Sequence, residues 1–180
     1  MKRISLVILL ILIGIPGCKK KNDNKYSGTV TIDNELFGSG PYYGYGFSVP
    51  TGEKLSTLSN PLNLITLLAD FDINYTITKM YFSSSNYNNS FYRFAKYNDE
   101  SSAIQAFRNL TSFQNPQWTE LGDSVQANQI WLYRTSDERY AKIRVISTYS
   151  ETRVNMPFPY AECTFEWVFQ PDGTQTFPGK

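Results

Sequence analysis

"IWLYRTSDERYAKIRVISTY", residues 130–149, decides the fold. Ile130 to Arg134 is an apolar, aromatic-rich run, and Ser136-Asp137-Glu138 is a break of turn formers. From Arg139 the chain resumes, with Ala141, Ile143 and Val145 alternating against Lys142, Arg144 and Ile146. A period of two on both sides of a short polar break is the pattern of two antiparallel strands joined by a tight turn. A looser loop, Glu151 to Pro159, follows and carries Met156 and two prolines. Beyond it Phe165, Trp167 and Phe169 alternate against Thr164, Glu166 and Val168, until Pro171-Asp172-Gly173 turns the chain once more. The last third is an antiparallel meander.

Upstream the period is mostly two as well. Val30 and Ile32 alternate with Thr29, Thr31 and Asp33, and Gly38-Ser39-Gly40-Pro41 is a turn cluster. Tyr42-Tyr43-Gly44-Tyr45-Gly46-Phe47 reads as an aromatic strand, with glycines where something approaches closely. Glu53–Leu58 and the apolar run from Leu64 to Leu68 are further strands, separated by Asn60-Pro61. The stretch Asp70–Ile77 continues the alternation and places Phe71, Ile73, Tyr75 and Ile77 on one face. One segment breaks the pattern: Asn98-Asp99-Glu100-Ser101 precedes Ala103, Ile104, Phe107 and Leu110, apolar at helical spacing behind a capping residue. The expected fold is mainly β, an antiparallel sandwich or open barrel, with one short helix near residues 100–112. Residues 26–180 form a single domain, and no repeat interrupts them.

The leading segment has a different character. Lys2 and Arg3 precede an apolar run from Ile4 to Ile13 that only Ser5 interrupts. Such a run suits the h-region of a secretory signal and is well short of the roughly 20 residues that span a bilayer. Ile15-Pro16-Gly17-Cys18 resembles a bacterial lipobox, in which cleavage leaves the cysteine as a lipidated N-terminus. Residues 1–17 are therefore expected to be a lipoprotein signal peptide, Cys18 the lipidation site, and residues 18–25 a solvated tether with nothing to bury. Having Lys19, and not an aspartate, directly after the cysteine resembles lipoproteins sent on to the outer membrane. The expected location is thus the cell outer membrane, reached through a lipid anchor.

Composition excludes several functions. The formal net charge is +1, and losing Lys2 and Arg3 with the leader tips it to −1 (17 basic residues less two, against 16 acidic). A balance so near neutral offers no basic face for nucleic acid. Histidine is absent, which removes Ser-His-Asp and Cys-His catalysis, HExxH zinc sites and His-ligated haem together. Asp70 and Asp72 lie two apart, which in a strand puts both carboxylates on one face as in a glycosidase pair, yet nothing supplies a second catalytic part and they read as a solvent-facing pair. No enzyme is expected.

Two groups remain as ligand-binding candidates. Tyr42, Tyr43 and Tyr45 offer rings that stack on a sugar or a flat ligand, or else pack in the core and over a sheet edge. Met80 and Met156 are the internal methionines, either soft iron ligands or gap-filling core residues. Tyr81 and Tyr87 are phenolate alternatives for iron. Cys163, in Glu162-Cys163-Thr164-Phe165, reads as a packed small side chain.

Taken together, the C-terminal strands resemble those of the HmuY-like lipoproteins of Bacteroidetes. The likeness lies in Ile130–Thr135, in Arg139-Tyr140-Ala141-Lys142-Ile143-Arg144-Val145 and in Cys163–Phe169 with Pro171-Asp172-Gly173. Phe47-Ser48, Thr51-Gly52 and Asp72-Ile73-Asn74-Tyr75 look like the family's earlier strands. The resemblance implies an envelope lipoprotein whose β domain binds a small ligand, with haem the candidate. The family's His ligands have no counterpart here, which leaves Met80 and Met156. The other expectation is a structural or adhesive surface lipoprotein without a small-molecule ligand.

Overall fold

Tyr133 and Ile143 become the middle of a five-stranded sheet. The computed structural model describes residues 26–39, 43–59, 62–85, 89–153 and 157–178; the expectations for Cys18, Tyr42, Tyr87 and Met156 fall outside them. In chain order the elements are β1 (Ser27–Asp33), β2 (Tyr45–Ser48), β3 (Glu53–Ser56), β4 (Leu64–Phe71), β5 (Ile77–Ser84), β6 (Phe91–Lys96), α1 (Glu100–Asn109), β7 (Gln129–Arg134), β8 (Tyr140–Glu151) and β9 (Tyr160–Gln170). One sheet runs β1-β9-β8-β7-β6 and the other β3-β2-β4-β5, all pairs antiparallel. Between a sandwich and an open barrel, the chain forms the two-sheet sandwich.

The inner faces meet in an aromatic core. Phe165, Trp167 and Phe169 of β9 pack with Phe47 of β2 and Phe82 of β5, and Ala141, Ile143 and Val145 of β8 join them. Gly46 explains how β2 and β4 come so close. A Cβ there would lie 2.8 Å from that of Leu64 and 3.2 Å from the Ile65 carbonyl oxygen, a contact only glycine avoids. Tyr133 ties the sheets across the core, its hydroxyl 2.9 Å from Ser84 Oγ. Burial pushes that phenol well above its ordinary range.

The outer face of the larger sheet is covered too. Alternation alone would put Lys142 and Arg144 in water, but α1 and the segments after it lie over them. Lys142 Nζ donates to the carbonyls of Phe107 and Leu110 at 2.7 and 2.8 Å, which satisfies acceptors left open at the end of α1. Arg144 pairs with Glu166 across the sheet and lies 3.8 Å from Glu100 at the start of the helix. The helix ends at Asn109, short of residue 112, because Leu110 takes the C-cap and the chain turns to bridge Ser112 with Thr176.

At its other end α1 is capped by Asp99, whose carboxylate accepts from the Ser102 backbone amide at 2.8 Å. The side-chain hydrogen bond from Ser101, with those from Ser102, holds this carboxyl down to about 2. A depressed acid stabilises the folded chain fully above its unfolded value of 3.8, and the contribution disappears as pH falls through about 2. Helical circular dichroism is therefore expected to decline over that acidic window in the wild type. In Asp99→Ala that pH-linked part should be missing, and an identical acid profile in the variant contradicts the capping role.

A second departure concerns Asp70–Ile77. The chain does not run on as a strand: β4 stops at Phe71, residues 72–76 turn, and β5 returns from Ile77. Asp72 makes the turn, since its carboxylate accepts from the backbone amides of Asn74 and Thr76 at 2.9 and 2.8 Å. Tyr75 takes the left-handed conformation with φ 59°. Phe71, Ile73 and Tyr75 therefore project from a hairpin tip, and Ile73 is 94% exposed.

The registers also orient the sandwich. Ser27 pairs with Val168 and Tyr140 with Gln170, so the chain enters beside the β8 start and the β9 end. Asn63, just before β4, caps the Ser136 amide at this same entry end. The far end holds the β1 exit at Asp33 opposite Glu162, the pairing of Glu151 with Tyr160, and the 72–76 tip, where Thr152 donates to the Tyr75 carbonyl at 3.0 Å.

Candidate functional site

Two surfaces offer themselves, and sequence pointed only to the first. Tyr43 and Tyr45 sit where the chain passes from β1 to β2, at the far end. Phe37 lies between their rings, 5.6 Å from Tyr43 and 4.9 Å from Tyr45 by centroid. Phe37 and Tyr45 are more than two-fifths exposed, so this cluster is not core. The hairpin tip adds Phe71 stacked on Tyr75 at 5.6 Å. Arg153 lies at this end as well: it pairs with Glu151 and Glu35, and its guanidinium lies 3.7 Å above the Tyr160 ring. The far end is thus an aromatic pole with carboxylates around it. The tip went unrecognised because its alternation imitates a strand; the signal that could have found it is Asp72 followed by Asn74.

The second surface is a cleft of about 610 Å³ on the side where the two sheets would otherwise be open. The segment 117–126 runs there as a strap. It exchanges backbone hydrogen bonds with β6 through Thr119 and Phe91, and with β5 through Gly122 and Phe82. Gly122 eases the close approach at that bridge, where a Cβ would fall 3.1 Å from that of Phe82. Further along, the Val125 amide donates to the Met80 carbonyl at 2.8 Å. Gln129, buried, locks the strap: its Oε1 accepts from the Gln126 amide and the Trp131 indole, and its Nε2 donates to the Ser124 carbonyl.

Lys79, Tyr92, Arg93, Glu120, Leu121 and Trp131 are among the cleft's lining residues. Lys79 is held by Asp123 at 2.7 Å, and its hydrogen bond raises the ammonium above its ordinary value. Arg93 lies over the Trp131 ring, 5.9 Å from its centroid. A β-bulge between Arg93 and Ala95 breaks the register of β6 at this point, as bulges commonly do where a side chain must be re-aimed. Sequence reasoning missed the cleft because its walls come from four separated segments. No spacing joins residues 79, 93 and 120.

Met80 takes the other role foreseen for it. It packs in the inter-sheet core at 9% exposure and lines a shallow groove of about 190 Å³ with Val125 and Thr148. Tyr81 donates its hydroxyl to Asp70 at 3.2 Å. Among the described residues no cluster of three His, Cys, Asp or Glu side chains could hold a metal ion. Among the described residues the one thioether, Met80, is buried in the core, so the residues present do not fit a haem iron. Cys163 is buried in the core, and that burial raises its thiol far above the reactive range.

No family model, curated protein or solved structure matches this chain. The likeness to HmuY-like lipoproteins rests on the quoted strands alone.

Proposed function

We propose that the chain is a cell-envelope lipoprotein, anchored in the outer membrane through Cys18, whose β domain binds a ligand. One observation carries this reading: the described domain starts at the entry end, opposite the aromatic pole. Residues 18–25 between anchor and domain reach at most about 28 Å when fully extended. An anchor on that side keeps the entry end near the bilayer and turns the aromatic pole away from it. A domain arranged in this way presents its binding surfaces to whatever the envelope brings. The exposed tip of Phe71, Ile73 and Tyr75 also favours a second reading, adhesion to another macromolecule without a small ligand.

The anchor is tested by Cys18→Ala in cells, followed by membrane fractionation. Acyl chains contribute about 0.8 kcal/mol per buried CH₂, far beyond the roughly 1 kcal/mol that each lysine of the tether adds at an anionic surface. The variant is expected to leave the membrane fraction entirely. Retention at the wild-type level overturns the anchor.

A further inference from the structure

We propose that the cleft beneath the 117–126 strap is the ligand site, and that it takes a neutral saccharide. This rests on the ligand-binding reading above and adds the place and the chemical class. The volume of about 610 Å³ lies inside the roughly 300–1,000 Å³ usual for small-molecule sites.

Charge selects the class. Lys79, Arg93, Glu120 and Asp123 line the cleft, two of each sign. Lys79 and Asp123 are already committed to each other. A phosphate or carboxylate entering the cleft would meet Glu120 and Asp123, and a cation would meet Arg93 and Lys79. Either would sit beside charges of its own sign, which offsets what the opposite charges gain. Arg93 offers a fork of donors, Glu120 only acceptors, and Gln117 both. Hydroxyl groups donate and accept equally well, so a neutral polyol is the chemistry that uses all three.

The apolar part of the lining agrees. The cleft lies across the edge of β6, so it draws Arg93 from the inner face, over Trp131, and Tyr92 from the outer face, against Trp118. With the Trp131 face under Arg93, the Tyr92 ring and Leu121, 39% exposed, are left to receive the C–H face of a sugar ring. The strap is fixed before any ligand arrives, by its two backbone bridges and by the two hydrogen bonds that Gln129 makes to Ser124 and Gln126. Preorganisation of this kind lowers the entropy lost on binding.

Titration calorimetry on the full-length protein in detergent tests the proposal. The probes are cellotriose, maltotriose, mannotriose and chitotriose, with haemin and glucose 6-phosphate as charged comparisons. At least one neutral trisaccharide is expected to bind, with affinity reduced at least tenfold in Arg93→Ala and in Glu120→Ala. Both side chains are solvent-facing, so thermal melts should match the wild type and separate lost binding from lost folding. Binding of a charged probe alone overturns the saccharide class and leaves the ligand-binding reading standing. Saccharide binding that survives both cleft variants but is lost in Tyr45→Ala overturns the cleft and moves the site to the aromatic pole. If none of the probes binds, the saccharide proposal falls; adhesion then becomes the reading to pursue, with the 71–75 tip as its surface.

Discussion

Replacing Trp167 with alanine is expected to lower the stability of the domain by about 4 kcal/mol, the loss typical of a large aromatic removed from a packed core. Trp167 is 4% exposed, and its indole lies 5.2 Å from the Phe47 ring across the sandwich. On the other side it fills the space over Gly28, where even a Cβ would stand 3.4 Å from the indole nitrogen. Gly28 is held in register with Trp167 by the β1–β9 pairing, and Phe47 by the pairing of β2 with β3 and β4, so neither neighbour collapses readily into the gap. Urea melts of wild type and variant decide the matter through the midpoint at unchanged slope. A shift within error would mean that the inter-sheet core is not closed around this ring.

Lys142→Met has a smaller expected cost, about 2–3 kcal/mol, from a different cause: each buried carbonyl left without its donor costs about 1–3 kcal/mol, partly offset by no longer burying an ammonium. The thioether keeps much of the side-chain volume, so a cavity contributes little. What disappears is the donor to Phe107 O and Leu110 O, together with the contact of the charge with the Phe107 ring at 4.7 Å. Loss should therefore be local. Amide hydrogen exchange is expected to speed up over residues 100–112 while β8 and β9 keep their protection. Uniform acceleration, or none, contradicts the role of Lys142 as the cap of α1.

These two residues mark how much was legible in the sequence. Trp167 belongs to a strand whose alternation is clean, and its inward direction follows from Phe165 and Phe169 on the same side. Lys142 belongs to an equally clean strand, yet its polar face is covered rather than wet. Periodicity of two says which residues share a face; it does not say what lies upon that face. Only the docking of α1, together with the pairing of Ser112 with Thr176, brings carbonyls to an ammonium that would otherwise face water. The misread of Asp70–Ile77 has the same origin, because alternation of Phe71, Ile73 and Tyr75 persists through a turn set by the Asp72 carboxylate. Of the candidate site, the rings of Tyr43 and Tyr45 were legible because aromatic density is a property of one short stretch. The cleft was not, since Gln129 reads as any polar residue at a strand start and the strap as an ordinary loop.

The strap has one more consequence, for association between copies. Open strand edges recruit other chains, and the risk rises with their local concentration. Here the edges of β5 and β6 already spend backbone groups on Gly122 and Thr119 of the same chain. A neighbour arriving on that flank finds those positions occupied. The segment that walls the cleft is also a guard against polymerisation, so shortening it to enlarge the cleft would expose the sheet edges to pairing between molecules.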